Sequence, residues 1–184
     1  MNEAVAKSNR RTLLLLLLVF LAPALGSWLL YANVGHLHLG TTNHGEFVQP
    51  PRLLDAADLG LPQDYFAHHL TLIYVSAQEC SVECRRALEV IRSTRLALGE
   101  QTQQVQRLYL SQGIPVADII QSDSALTGRD VKSASVAKAF DGADAPKYIY
   151  LVDQHGYAVL RYALSQDPKF ILLDLRHLLG AGEG

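Results

Sequence analysis

The chain has 184 residues, with 16 Lys and Arg against 18 Asp and Glu. That length holds one domain of ordinary size plus an anchor. A formal charge of -2 leaves no basic footprint, so nucleic acid is excluded as a partner, and the scattered charges of the soluble part read as a solvated surface.

Lys7, Arg10 and Arg11 precede an apolar stretch, and no acidic or basic side chain stands between Arg11 and Glu46. About 20 apolar residues suffice to cross a bilayer, so residues 12–32 are expected to form a transmembrane anchor. Trp28 and Tyr31 sit at its far end, where an aromatic belt belongs. The positive-inside rule keeps residues 1–11 cytoplasmic. The expectation is a single-pass inner-membrane protein with a periplasmic soluble domain. Ala22-Pro23-Ala24 offers a competing reading as a signal-peptide cleavage site. The apolar run continues past it to Leu30, and either reading exports the domain. Residues 33–45, with His36, His38 and His44, read as a polar tether. No cysteine or carboxylate stands near these histidines in a familiar ligand spacing, so they read as exposed rather than metal-binding.

The soluble domain is expected over residues 46–184. Residues 45–49 read as a short strand ended by Pro50-Pro51, and residues 52–58 are ambiguous. His68-His69 mark the entry to the next strand rather than a ligand pair, because neighbours in extended chain point to opposite faces. Residues 70–75 are an apolar run rich in β-formers, which predicts a buried strand. It leads to the only two cysteines, Cys80 and Cys84. Residues 80–98 read as a helix, with Leu88, Ile91, Leu96 and Leu98 near helical spacing and Ser81 able to cap its start.

The cysteines therefore stand where a buried strand turns into a helix N-terminus. Backbone N–H groups and the helix dipole stabilise a thiolate there, and positions four apart share a face. Three chemistries stay open on these residues: a structural disulfide or two buried thiols, a redox dithiol, or a two-thiolate site for a soft metal such as Cu(I). Local charge does not choose among them. Arg85 and Arg86 favour a thiolate, whereas Glu79 and Glu83 oppose it.

A loop over 99–103 leads to a strand over 105–110, a turn over 111–115 and a short helix over 116–121. Residues 130–140 read as an amphipathic helix with Val131, Ala134, Val136 and Phe140 toward the core. A loop ending at Pro146 precedes a strong strand, 148–152. Asp153-Gln154-His155-Gly156 is a hairpin turn, and residues 157–162 return antiparallel. Pro168 opens a last helix running through Leu179 and ended by Gly180. Its buried stripe is Ile171, Leu172, Leu175, Leu178 and Leu179. The first strand–helix–strand unit needs a parallel pair. The assembled order predicts an α/β fold of thioredoxin-like layout: a mixed central sheet flanked by helices, preceded by one transmembrane helix.

Four features resemble the Sco/SenC family, membrane-anchored thioredoxin-like factors for the copper A centre of cytochrome c oxidase. They are the N-terminal anchor; Cys80-Ser81-Val82-Glu83-Cys84 after an apolar strand; Ala125-Leu126-Thr127-Gly128 followed by Val136-Ala137-Lys138-Ala139-Phe140; and Tyr148-Ile149-Tyr150-Leu151-Val152-Asp153-Gln154-His155-Gly156 running into a hairpin and terminal helix. The resemblance implies an accessory factor for oxidase assembly whose partner is an oxidase subunit or another assembly factor. It implies Cys80 and Cys84 as the reactive pair, with Cys80 the exposed nucleophile of dithiol–disulfide exchange. Exchange itself needs no metal. Cys80 and Cys84 as Cu(I) ligands of a chaperone, and an inert scaffold with a structural disulfide, are the rival readings. The thioredoxin-like layout also nominates Pro146 as a cis-proline facing the cysteines.

The departures from the family are specific. Ser81 and Arg85 stand where the family has prolines. Ala145 stands where it has the copper-binding histidine. Ser111-Gln112-Gly113 replaces its acidic residues. A third copper ligand would have to come from His44, His68, His69 or His155.

Overall fold

The computed structural model describes residues 2–33, 43–113, 115–132, 134, 139–140 and 142–181; the side chains of 2–14, 30, 33, 143 and 181 lie outside the described set. The chain forms two units, residues 1–42 and 43–184. The first contains helix α1, Asn2–Asn33, with Pro23 inside it. Among the described residues no helix is long and apolar enough to cross a membrane. His36 and His38 lie outside the described residues.

The second unit is built on a six-stranded sheet in the order β1-β6-β5-β2-β3-β4. The strands are β1 Glu46–Leu53, β2 Leu70–Ser76, β3 Val105–Ser111, β4 Thr127–Asp130, β5 Tyr148–Val152 and β6 Tyr157–Ala163. β2 runs parallel to β3, and β3 to β4. β5 is antiparallel to β2 and β6, and β1 to β6. The helices are α2 Val82–Leu96, α3 Ala117–Ser122 and α4 Lys169–Ala181. This is the mixed sheet with flanking helices expected of a thioredoxin-like α/β fold.

The period-two alternation of β2 divides the core. Leu72 and Tyr74 face one cluster with Cys84, Ala87 and Ile91 of α2 and Ile171, Leu175 and Leu179 of α4. Ile73 and Val75 face the other, which is closed by Leu59, Leu61, Phe66 and Phe140. Both faces are covered, which is why β2 reads as a continuous apolar run.

Four local expectations need correction. β1 continues through Pro50-Pro51 instead of ending there. It is a sheet edge, and its pairing jumps from Phe47–Leu160 to Arg52–Ala158, so the prolines fall in an irregularity that asks no ladder N–H of them. Asp130 closes β4 rather than opening a helix: it pairs with Ser111, because β3 offers a free parallel edge. Residues 133 and 135–138 of the expected helix lie outside the described residues. Leu178 is exposed, and Asp174 is buried alongside Ile171, Leu175 and Leu179 of the α4 stripe. His44 and Gly45, read as tether, belong to the sheet-bearing unit.

Asp174 explains that last correction. Its carboxylate accepts from the His44 and Gly45 backbone N–H groups, each at 2.9 Å, from His44 Nδ1 at 2.8 Å and from the Tyr162 hydroxyl at 2.9 Å. The His44 ring also stacks on Phe170, with centroids 4.6 Å apart. A Cβ on Gly45 would lie 2.7 Å from the Tyr162 ring, so glycine is what lets this backbone reach the carboxylate. A second polar clasp joins β3 to the segment before β4: buried Arg107 forks onto Asp123 at 2.5 and 2.8 Å.

Candidate redox site

Cys80 and Cys84 are joined as a disulfide, and no free cysteine exists. The local sequence dictates their unequal environments. Ser81 is the N-cap of α2: its backbone is extended, and its hydroxyl accepts from the Cys84 N–H at 3.4 Å. Cys80 therefore lies outside the helix. Cys84 lies in the first turn and begins the inward stripe Cys84, Ala87, Ile91, Thr94, at spacings of three and four. Cys84 is 1% exposed, whereas Cys80 is half-buried and packs against the same cluster. Cys80 opens into a cleft between α2 and α3 whose apolar lining is Leu88, Ile119 and Leu126, with Arg85 and Arg92 among its charged groups.

Beneath the disulfide lie two buried tyrosines from adjacent parallel strands. Tyr74 and Tyr109 are register partners, and their rings stack with centroids 6.4 Å apart and planes 12° apart. The Tyr109 hydroxyl is 3.9 Å from Cys84 Sγ. A disulfide sulfur carries no proton, so any hydrogen bond there runs from the tyrosine O–H to the sulfur. The Tyr74 hydroxyl donates to the Pro146 carbonyl at 3.2 Å. Burial raises both phenols above their ordinary value. Tyr74 is pushed up to about 12, with the neighbouring Tyr109 and Glu83 adding to the effect. Both therefore stay protonated at neutral pH. Nearer the surface, Ser81 Oγ donates to Glu83 at 2.7 Å and holds that exposed carboxyl below its usual range. Arg85 donates to the Cys80 carbonyl at 3.2 Å.

The family described as "Transmembrane-like, thioredoxin-like, C-terminal domain" matches residues 70–181, which run from the first residue of β2 to the last of α4. The chain belongs to that family. No curated protein matches the sequence. Among solved structures, this transmembrane-like thioredoxin chain is similar to yeast Sco1, at 17% identity and a TM-score of 0.55, covering 73% of this chain and 97% of that one. It is similar to yeast Sco1 with copper bound at 17% and 0.54, covering 77% and 95%. A putative thioredoxin from Neisseria meningitidis gives 18% and 0.50, covering 70% and 87%. These likenesses establish a shared fold, in keeping with the Sco/SenC resemblance read from the sequence.

The fold is shared, but the residues present do not fit a two-cysteine, one-histidine copper site. Ala145, at the position the resemblance gives to the histidine, is fully buried and has no donor to offer. His68 and His69 precede β2, and Cys80 follows it. Seven strand residues at about 3.3 Å each separate them by roughly 20 Å. His155 is in the turn after β5, whose last residue pairs near the start of β2. These three histidines line one cleft at the end of the sheet away from the disulfide. His44 Nδ1 is taken by Asp174. Among the described residues no group of three His, Cys, Asp or Glu is arranged to hold a metal.

The expectation for Pro146 is also corrected. Among the described residues the one cis peptide bond is Gln49–Pro50. Pro146 sits inside a 3-10 turn, Gly142–Lys147, whose helical geometry takes trans bonds. Its carbonyl accepts from the Tyr74 hydroxyl. In the sequence Tyr109 is only one residue of the strand expected over 105–110. Nothing in that pattern says that its hydroxyl meets sulfur.

Proposed function

We propose that this protein carries out dithiol–disulfide exchange through Cys80 and Cys84. One observation carries the reading: a half-exposed sulfur bonded to a fully buried one, at a capped helix N-terminus. A partner thiolate reaches Cys80 through the α2–α3 cleft and forms a mixed disulfide. Cys84 leaves as thiolate. The partner's second thiolate then attacks its own sulfur in the mixed disulfide, closing the partner's disulfide and releasing Cys80, so that two electrons pass to this pair. In the reverse direction reduced Cys80 attacks a partner disulfide and Cys84 resolves the mixed disulfide. We further propose that α1 anchors the chain in the cell membrane with its basic end in the cytoplasm and the domain in the periplasm. Supporting this, Leu15–Leu18, Phe20, Leu25, Trp28 and Leu29 are exposed along α1, the pattern of a helix whose surroundings are apolar. The partner class implied by the Sco/SenC resemblance is a subunit bearing the copper A centre of cytochrome c oxidase, or another assembly factor. Cu(I) held by the two thiolates is the weaker reading, because among the described residues no third ligand accompanies them.

The test is trapping. Full-length Cys84→Ser should accumulate a mixed disulfide with a cysteine-bearing partner, because its resolving sulfur is gone. Cys80→Ser should trap far less. Equal trapping by both variants, or trapping by Cys80→Ser alone, overturns the assignment of Cys80 as the attacked sulfur.

A further inference from the structure

Exchange at Cys80 creates a charge in an unfavourable place. When a partner thiolate attacks Cys80 Sγ, a partner–Cys80 bond forms and the Cys80–Cys84 bond breaks. The electron pair leaves on Cys84 Sγ, so the negative charge moves from the partner's exposed sulfur to one that is 1% exposed. Burial in an apolar cluster disfavours a thiolate unless a donor meets it.

Few groups can do so. The Cys84 N–H points at Ser81 Oγ. Arg85 bonds the Cys80 carbonyl at the surface, and Glu83 is exposed and repels. On β2, the Tyr74 hydroxyl is committed to the Pro146 carbonyl. On β3, Arg107 is taken up by Asp123. Among the described residues the remaining donor is Tyr109, itself 1% exposed, with its hydroxyl 3.9 Å from Cys84 Sγ.

Resting on the exchange reading, we propose that Tyr109 is the hydrogen-bond donor that receives the Cys84 thiolate when the disulfide opens. In the oxidised protein its hydroxyl shares a bond with Ser76. Ser76 acts there on the phenol oxygen, in the direction that lowers the phenol, which leaves the Tyr109 proton for the sulfur. On reduction the charged sulfur takes that proton in a stronger bond, because bonds to an ionised acceptor are the stronger. Tyr109 keeps its proton throughout, since burial holds the phenol above its ordinary value. It stabilises the leaving sulfur without protonating it.

The experiment measures the thiol–disulfide equilibrium of the full chain against glutathione, with the rate of opening by reduced glutathione, for wild type, Tyr109→Phe and Ser76→Ala. Tyr109→Phe should shift the equilibrium about tenfold toward the disulfide, the effect of losing one hydrogen bond to a charged group, which corresponds to about 30 mV. It should also slow opening. Ser76→Ala removes the group that lowers the phenol and so weakens Tyr109 as a donor; it should shift the equilibrium in the same direction by less, about threefold. This second variant keeps the test decisive if Tyr109→Phe does not fold. Variants within twofold of wild type, with wild type exchanging normally, overturn the role of Tyr109 and leave the exchange reading standing. A wild-type disulfide that glutathione cannot open overturns both.

Discussion

Opening the disulfide should leave the domain folded, and the expected cost follows from the ring it closes. Cys80 and Cys84 are four positions apart. A cross-link acts mainly on the unfolded chain, and the chain-entropy relation gives about 2 kcal/mol for so short a loop. Domains of this kind are typically stable by about 5–15 kcal/mol. The core does not depend on the sulfurs: Ile73, Val75, Leu108, Leu110, Tyr150 and Val152 are fully buried in the cluster on the opposite face of the sheet. For the sheet-bearing unit, about 3 °C per kcal/mol predicts a fall in Tm of about 6 °C. The assay is thermal unfolding of the full chain in detergent, followed by near-ultraviolet circular dichroism with and without a phosphine reductant. The Cys80→Ser/Cys84→Ser protein should show the same shift. A fall above about 15 °C, or loss of the near-ultraviolet signal on reduction, would refute the reasoning and identify the disulfide as a staple of an inert scaffold.

Asp174→Ala should destabilise the domain by about 2–6 kcal/mol, since two buried donors, the Gly45 N–H and the Tyr162 O–H, lose their acceptor. Urea titration at neutral pH measures it, and a loss below about 1 kcal/mol would show that water replaces the carboxylate. The same group makes a pH prediction. Burial raises the Asp174 carboxyl, but the bonds from His44, Gly45 and Tyr162 outweigh it and hold the folded value below the ordinary one. A depressed carboxyl gives stability that is present above its unfolded value of about 4 and is lost as pH falls through the folded value. The gap between wild type and Asp174→Ala should therefore narrow in that acid window. For copper, Cu(I) titrated into the reduced full chain against a competing chelator should not exceed binding to the double serine variant. One equivalent held tightly by wild type alone would restore the copper reading.

The β2–α2 junction was legible in outline because its signals are local, although Cys80 falls outside the helix expected over 80–98 and Leu96 of the expected stripe is exposed. An apolar run, a capping serine and a helical stripe follow one another directly and agree. The same holds for the β5–β6 hairpin, where Asp153 accepts from the His155 and Tyr157 N–H groups inside the turn. The features that escaped notice depend on distant partners. Asp174 looked like a solvated charge beside an apolar stripe, and its acceptor role needs His44, 130 positions earlier. β4 is four residues long and exists because β3 leaves an edge beside it. The histidines illustrate the same limit. As ligand types all four were candidates, and only the direction of β2 shows that three of them stand at the wrong end of the sheet.

The asymmetry of the cysteine pair is set by the position of the helix cap rather than by the spacing of the cysteines. With Ser81 as N-cap, the first cysteine falls outside the helix and keeps access to solvent, while the second becomes the first inward residue of α2. Spacing of four within a continuous helix would have put both sulfurs on one face, in one environment. The cap therefore separates an accessible sulfur from a protected one. The two inward tyrosines of β2 and β3 then decide what the protected sulfur meets, because parallel pairing aligns Tyr74 with Tyr109 directly under the first turn. Fold and chemistry are joined at that point. The strand register that builds the core also delivers one hydroxyl to a buried sulfur, and a shift of β3 by one residue would turn Tyr109 to the opposite face.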